Sequence, residues 1–255
     1  MSLNDIVNAT RQRLARERKQ GTAVGTLPNT PTRDFLGTLV RADFGIIAEI
    51  KRASPSKGWL NPDLDVAALA RSYTRGGAVA LSVLTEPHFF KGSWDDLARA
   101  REASPLPILC KDFIFDPSQL YHARSYGADA VLLICALLPE SKLINLLQQA
   151  NDLGLAVLVE VHREEEVAQA LKVGAKLIGI NNRNLEDFTV DVETTFRLRP
   201  LIPPDVIVVS ESGLSTPAHL QALRRAGVKA ALIGESLVSS PDPEAKLKEL
   251  SHGQG

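Results

Sequence analysis

The sequence predicts a closed (β/α)8 (TIM) barrel preceded by a helical extension, and three observations predict it. Eight short apolar segments rich in β-branched residues recur along the chain, and a longer stretch with helical spacing follows each one. The segments are near-continuous in apolar character, the pattern of parallel strands covered on both faces. They begin at 46, 80, 107, 130, 156, 177, 206 and 231, so successive starts differ by 34, 27, 23, 26, 21, 29 and 25 residues, the length of one strand plus its crossover helix. Eight such units close a barrel, whereas an open doubly wound sheet seldom needs so many. The 255 residues suit one barrel, so a single domain over 1–255 is expected, of which 1–45 is an N-terminal extension preceding strand 1.

Each element carries its own signals. The extension opens on "MSLNDIVNATRQRLARERKQG", amphipathic and Arg-rich; Asp5 and Glu17 argue against a transit peptide, and a helix followed by a loop is expected. Strand 1 is "IIAEIK". The next helix, "DVAALARSYTRGGA", places Ala67, Leu69, Ala70 and Tyr73 on one stripe and closes on glycines before strand 2, "ALSVLTE". Strand 3, "PILCKDF", precedes "DPSQLYHARSYGA", with Asp116 as N-cap and Pro117 in the first turn. Strand 4, "AVLLICA", lies in the longest apolar run, 130–138, too short for a membrane-spanning helix. Strands 5 to 8 are "AVLVEVH", "LIGINNRNL", "VIVVSESG" and "ALIGESL", and helix stops recur as "GGAVA", "YGADA", "VGAKL" and "AGVKA".

Composition narrows the function. With 44% hydrophobic and 23% charged residues, and 29 Lys plus Arg against 30 Asp plus Glu, the formal charge is −1, and no global field argues for nucleic acid or membrane. Cys110 and Cys135 each sit in an apolar run without CxxC spacing, as buried thiols of a reducing cytoplasm would. His88, His122, His162, His219 and His252 lack the spacing of a zinc site, and neither a Walker A motif nor GxGxxG is present, so no metal is expected.

In a barrel of this type chemistry sits at the C-terminal ends of the strands. Those ends carry Glu49 and Lys51 on strand 1, Lys111 on strand 3, Glu160 on strand 5, Asn181 on strand 6, and Glu211 and Ser212 on strand 7. Glu49 and Lys51 are two residues apart and share a face, which is the lumen if Ala48 and Ile50 meet the helices. Singly, such a residue is as often just solvated where a strand meets its loop; five strands converging on two Lys, three Glu and an Asn are not, because burying such groups is costly unless they are paired or used. "SESGL" (210–214) and "IGESL" (233–237) place small residues where backbone N–H groups meet phosphate after strands 7 and 8, and Arg183 lies near enough to add a bidentate contact. Phe90, Phe113, Leu132 and Leu185 lie at or just after strand ends; singly each suits the core, and together they would line a slot for a flat ring.

The stretches "IIAEIKRASPSKG", "SVLTEPHFFKGS", "CKDFIFDPSQ", "GADAVLLI", "VEVH", "IGINNRNL", "SESGL" and "LIGESL" resemble the indole-3-glycerol phosphate synthase family, from about residue 1 to 250. The resemblance implies a carboxy-lyase of tryptophan biosynthesis that closes the indole ring of 1-(2-carboxyphenylamino)-1-deoxyribulose 5-phosphate with loss of carbon dioxide and water. It implies catalytic roles for Glu49, Lys51, Lys111, Glu160, Asn181, Glu211 and Ser212, and phosphate contacts from Ser54, Arg183, Gly213 and Gly234. Lys111 is the first choice for the acid that protonates the attacked carbonyl, Lys51 for the cation that holds the substrate carboxylate, and Glu160 or Glu49 for the base; Asn181 and Glu211 would orient hydroxyls. The division among the two Lys and the Glu residues stays open.

Two departures from the family pattern stand out. Glu235 follows Gly234 where members often carry Ser, and its side chain would repel phosphate, leaving only its backbone N–H to bind. The family's extension tends to supply an apolar lid, yet residues 1–45 hold only Phe35 and Phe44 as aromatics. A small-molecule substrate without cofactor, a cytoplasmic location, and a monomer with at most weak association with other tryptophan-pathway enzymes are what the resemblance implies. The nearest enzyme rival is phosphoribosylanthranilate isomerase, whose Cys and Asp pair has no counterpart because Cys110 alternates with Lys111 and faces outward. A non-catalytic sugar-phosphate barrel is the rival of another class, and a full set of filled catalytic positions argues against it.

Overall fold

The computed structural model describes residues 3–19 and 26–252. The chain begins with α1 (Leu3–Lys19) and α2 (Phe35–Arg41). Eight barrel strands follow: β1 (Gly45–Ile50), β2 (Ala80–Leu84), β3 (Ile108–Lys111), β4 (Ala130–Ile134), β5 (Ala156–Val161), β6 (Leu177–Asn181), β7 (Ile207–Glu211) and β8 (Ala230–Ile233), with a short hairpin of Ala53–Ser54 and Gly58–Trp59 after β1. Each barrel strand starts within one residue of its expected position. Every barrel strand pairs in parallel with the next, and β8 pairs back to β1, closing the barrel. The outer layer is α3 (Val66–Gly76), α4 (Trp94–Ala103), α5 (Pro117–Ser125), α6 (Glu140–Asp152), α7 (Glu164–Lys172), α8 (Glu193–Leu198) and α9 (Pro217–Arg225), with α10 (Glu235–Val238) and α11 (Pro243–His252) after β8.

Local signals explain the boundaries. In α3 the Asp65 side chain accepts from the Ala68 N–H, so the apolar stripe starts at Val66 and runs through Leu69, Ala70 and Tyr73, all buried; Ala67, expected on that stripe, is one position off it and only half-buried. Asp116 and Gln119 form a capping box at the start of α5, with Pro117 in its first turn. Gly77, Gly127, Gly174 and Gly227 end helices with φ of 92°, 94°, 80° and 77°, the left-handed conformation glycine adopts without penalty. Both cysteines are buried and unpaired.

The extension departs from the single expected helix. Asp34 caps α2 by accepting from the Gly37 N–H, and β1 begins at Gly45. Phe35 and Phe44 are buried in the apolar core. Among the described residues no helix is long and apolar enough to cross a membrane.

Candidate active site

A cavity of about 770 Å³ opens at the C-terminal ends of the strands. Its walls contain every sequence-predicted site residue except one: Glu49, Lys51, Ser54, Phe90, Lys111, Phe113, Leu132, Glu160, Asn181, Arg183, Leu185, Ser212, Gly213, Gly234 and Glu235. The exception is Glu211, which is wholly buried behind Lys111. One of its carboxylate oxygens, Oε2, is engaged by the Lys111 ammonium.

The charges form one connected cluster. Lys51 Nζ lies 2.7 Å from Glu49 Oε1, and Lys111 Nζ lies 3.5 Å from Glu49 Oε2 and 2.5 Å from Glu211 Oε2. Glu160 is reached from the other side by His162, whose Nε2 is 3.2 Å from Glu160 Oε1 and whose Nδ1 is 3.1 Å from Glu166 Oε2. Burial disfavours charge on each group, so the pairings decide the outcome. Burial alone would raise the Glu49 carboxyl, but Lys51 and Lys111 overcome it and hold it below the usual range. Glu160 is likewise held low against burial, by His162 and Lys111. His162, despite burial, is raised to about 9 by its two carboxylate partners. Burial would lower the Lys111 ammonium, yet Glu211, Glu49 and Glu160 together raise it above its ordinary value. Glu211, deepest of the set, is pushed by burial up to about 7, with Glu160 and Glu49 adding to the shift, and its Oε1 has no hydrogen-bond partner among the described residues.

Two glycines make room for this cluster. A Cβ on Gly179 of β6 would collide with Glu211 Oε1, and one on Gly234 with Glu49 Oε1. Register explains the second contact: Ala48 pairs with Ile233, which sets Glu49 beside Gly234.

The far side of the cavity suits an anion. Ser212 and Gly213 take left-handed φ of 69° and 76° after β7. Arg183 donates to the Phe188 carbonyl at 3.0 Å and approaches Ser56 Oγ at 3.5 Å, while Asn181 Oδ1 accepts from the Arg183 N–H. The Glu235 side chain, expected to repel phosphate, pairs with Lys57 at 3.0 Å, so its charge is offset by an ammonium from the loop after β1. On the apolar side Phe90 and Phe113 have ring centroids 6.2 Å apart. The buried Glu86 carboxylate accepts from the N–H groups of His88, Phe89 and Phe90 and fixes the loop that carries Phe90. Leu3 and Ile6 of α1 line the cavity, so these aliphatics, not Phe35 or Phe44, are the apolar contribution of the extension.

Lys57, His162, Glu86, Leu3 and Ile6 are the site residues sequence reasoning missed. "VEVH" already placed His162 two residues after Glu160, on the same face, and that spacing was the available signal. Among the described residues no group of three or more His, Cys, Asp or Glu could hold a metal ion.

The family model for indole-3-glycerol phosphate synthase matches residues 3–250. The chain belongs to the indole-3-glycerol phosphate synthase family. A relative of that name from Dehalococcoides mccartyi is 53% identical over 208 residues, 80% of each chain. Another, from Rhodopirellula baltica, is 46% identical over 253 residues, covering 97% of this chain and 98% of its own. A solved thiamine phosphate pyrophosphorylase from Pyrococcus furiosus superposes with a TM-score of 0.63 at 17% identity, over 84% of this chain and 96% of its own, a likeness of fold alone. Indole-3-glycerol phosphate synthases are decarboxylating, ring-closing lyases of tryptophan biosynthesis, and the chain acts on a small-molecule substrate.

Proposed function

We propose that the cavity closes the indole ring of 1-(2-carboxyphenylamino)-1-deoxyribulose 5-phosphate with a fixed division of labour. The observation that carries this reading is the placement of Lys111. Its ammonium meets Glu49 and Glu211 between an apolar wall and a pocket suited to an anion. The anthranilate ring lies against Phe90, Phe113, Leu132 and Leu185, and the phosphate against Ser54, Arg183 and the N–H groups of Gly213 and Gly234, with Ser212 shaping the turn. As the ring carbon attacks the ribulose carbonyl, Lys111 donates a proton to the developing alkoxide, and Glu211 and Glu49 hold Lys111 in place for that step. Lys51 holds the substrate carboxylate until carbon dioxide leaves. Glu160, kept ionised by His162, accepts the ring proton while Lys51, released by the departing carboxylate, gives a proton to the hydroxyl so that it leaves as water, and Asn181 orients the ribulose hydroxyls.

Two unpaired buried thiols suit a cytoplasmic location. The test is to mix purified protein with the carboxyphenylamino-ribulose phosphate and follow indole fluorescence. Lys111→Ala is expected to lower kcat about a hundredfold or more with a modest change in KM. Fluorescence from the wild type with near-normal turnover by the variant would remove Lys111 from the acid role; no fluorescence from the wild type would overturn the reading altogether.

A further inference from the structure

Behind the anion pocket lies a closed ring of polar side chains that the reaction does not touch. Asn182 is 2% exposed and, unlike Asn181, does not line the cavity. Its Oδ1 accepts from the Thr195 N–H at 3.1 Å and from Thr195 Oγ1 at 2.7 Å, and its Nδ2 donates to Ser210 Oγ at 3.2 Å and to the Ser212 carbonyl at 3.0 Å. Thr195 Oγ1 and Ser210 Oγ are 2.7 Å apart. Only one proton arrangement satisfies the ring. Thr195 must donate to the Asn182 oxygen, which leaves Ser210 to donate to Thr195 and to accept from Asn182. The amide is thus fixed in orientation and ties together the end of β6, the end of β7 and the start of α8.

The remaining donor of Asn182 holds the carbonyl of Ser212, a non-glycine residue at φ 69°. Such a conformation persists only where its surroundings enforce it. The peptide after Ser212 is trans, so its carbonyl and the N–H of Gly213 point in opposite directions. A carbonyl drawn back to Asn182 therefore aims the Gly213 N–H away from Asn182, toward the cavity that Gly213 lines.

We propose that Asn182 is a positioning residue for phosphate: by holding the Ser212 carbonyl it locks the left-handed Ser212–Gly213 turn and presents the Gly213 N–H to the substrate phosphate. The inference rests on the phosphate placement given above. Asn182→Ala removes the hold; Asn182→Asp keeps the shape but sets a carboxylate oxygen against the Ser212 carbonyl. In Thr195→Ser the ring stays closed.

The experiment measures kcat, KM and competitive inhibition by inorganic phosphate for these variants and for Arg183→Ala. Asn182→Ala and Asn182→Asp are expected to raise KM and the phosphate inhibition constant about tenfold, with kcat within about threefold of wild type and Thr195→Ser unchanged. Unchanged phosphate inhibition in a folded Asn182 variant, with Arg183→Ala weakened, overturns the role of Asn182 alone. Unchanged inhibition in both overturns the phosphate placement itself. Should the Asn182 variants fail to fold, Thr195→Val, which opens the ring but leaves the amide, decides: weaker phosphate inhibition supports the proposal, and unaltered inhibition sinks it.

Discussion

At the scale of single residues, the site is a cluster in which each charge is tolerated because of its neighbours. Glu49 touches both lysines, so its removal has a definite electrostatic sign. Burial disfavours the Lys111 ammonium, and Glu49 is one of the carboxylates that overcome this and raise its pKa. Glu49→Gln is expected to let Lys111 deprotonate more easily, moving the alkaline limb of the kcat/KM profile to lower pH. An unmoved limb would mean that Glu49 does not act on the acid. Lys51→Met should weaken binding of a carboxylate-bearing substrate analogue about tenfold or more while barely affecting an analogue that lacks the carboxylate. Equal losses for the two analogues would make Lys51 an ordinary strand-end cation. These residues were legible in the sequence because a charge at the end of an apolar strand breaks a simple rule. Lys57 was not, since a lysine in a Ser-Pro-Lys-Gly loop breaks none, and only the folded loop brings it to Glu235.

At the scale of elements, parallel strands set the height of each catalytic group, and the space between strands decides whether it fits. β6 and β7 pair Asn181 with Glu211, so Gly179 lies one pleat below, against the Glu211 carboxylate. Gly179→Ala adds a methyl group where Glu211 Oε1 now sits and Leu158 packs behind. Overpacking of this kind costs about 1–3 kcal/mol. Displacing Glu211 also shifts the ammonium it holds, so turnover is expected to fall about tenfold or more, a loss that stability alone would not produce in protein still folded at the assay temperature. If thermal unfolding moves and turnover does not, the gap serves packing and not Lys111. Strand order and lumen-facing positions followed from period and alternation. The purpose of Gly179 did not, because alternation tells which way a side chain points and says nothing of the volume left by a neighbouring strand. Asn182 escaped notice for a similar reason: beside Asn181 it reads as a loop asparagine, and its partners Thr195 and Ser210 lie far along the chain.

At the scale of the whole molecule, the question is how residues before β1 join a barrel that closes without them. Periodicity made the barrel legible but could not dock the extension, since its contacts are tertiary. α1 is held to the segment after β3 by a row of cations: Arg11 lies over the Phe115 ring, Arg13 pairs with Asp112 at 2.9 Å, and Arg18 pairs with Asp116. The same helix delivers Leu3 and Ile6 to the cavity, next to the loop that follows Lys111. Of the three contacts the Arg13–Asp112 pair matters most for stability, because Asp112 is fully buried and the exposed Arg18 pair is screened by solvent. Burial raises the Asp112 carboxyl and Arg13 opposes it, so removing Arg13 leaves a carboxylate with no cation at that position. Arg13→Met is expected to destabilise the protein by about 3–5 kcal/mol, since breaking one side of a buried pair strands the other. For a chain of this size that corresponds to a melting temperature lower by roughly 10 °C. We propose that extension and barrel form one domain, so circular dichroism and intrinsic fluorescence should report the same single transition in wild type and variant. Adding Asp112→Asn to Arg13→Met removes the stranded charge and should recover part of the lost stability. A double variant no more stable than Arg13→Met would place the loss in the packing of the arginine stem, and a separate early transition for α1 would show that the extension is an appendage of the barrel and not part of its fold.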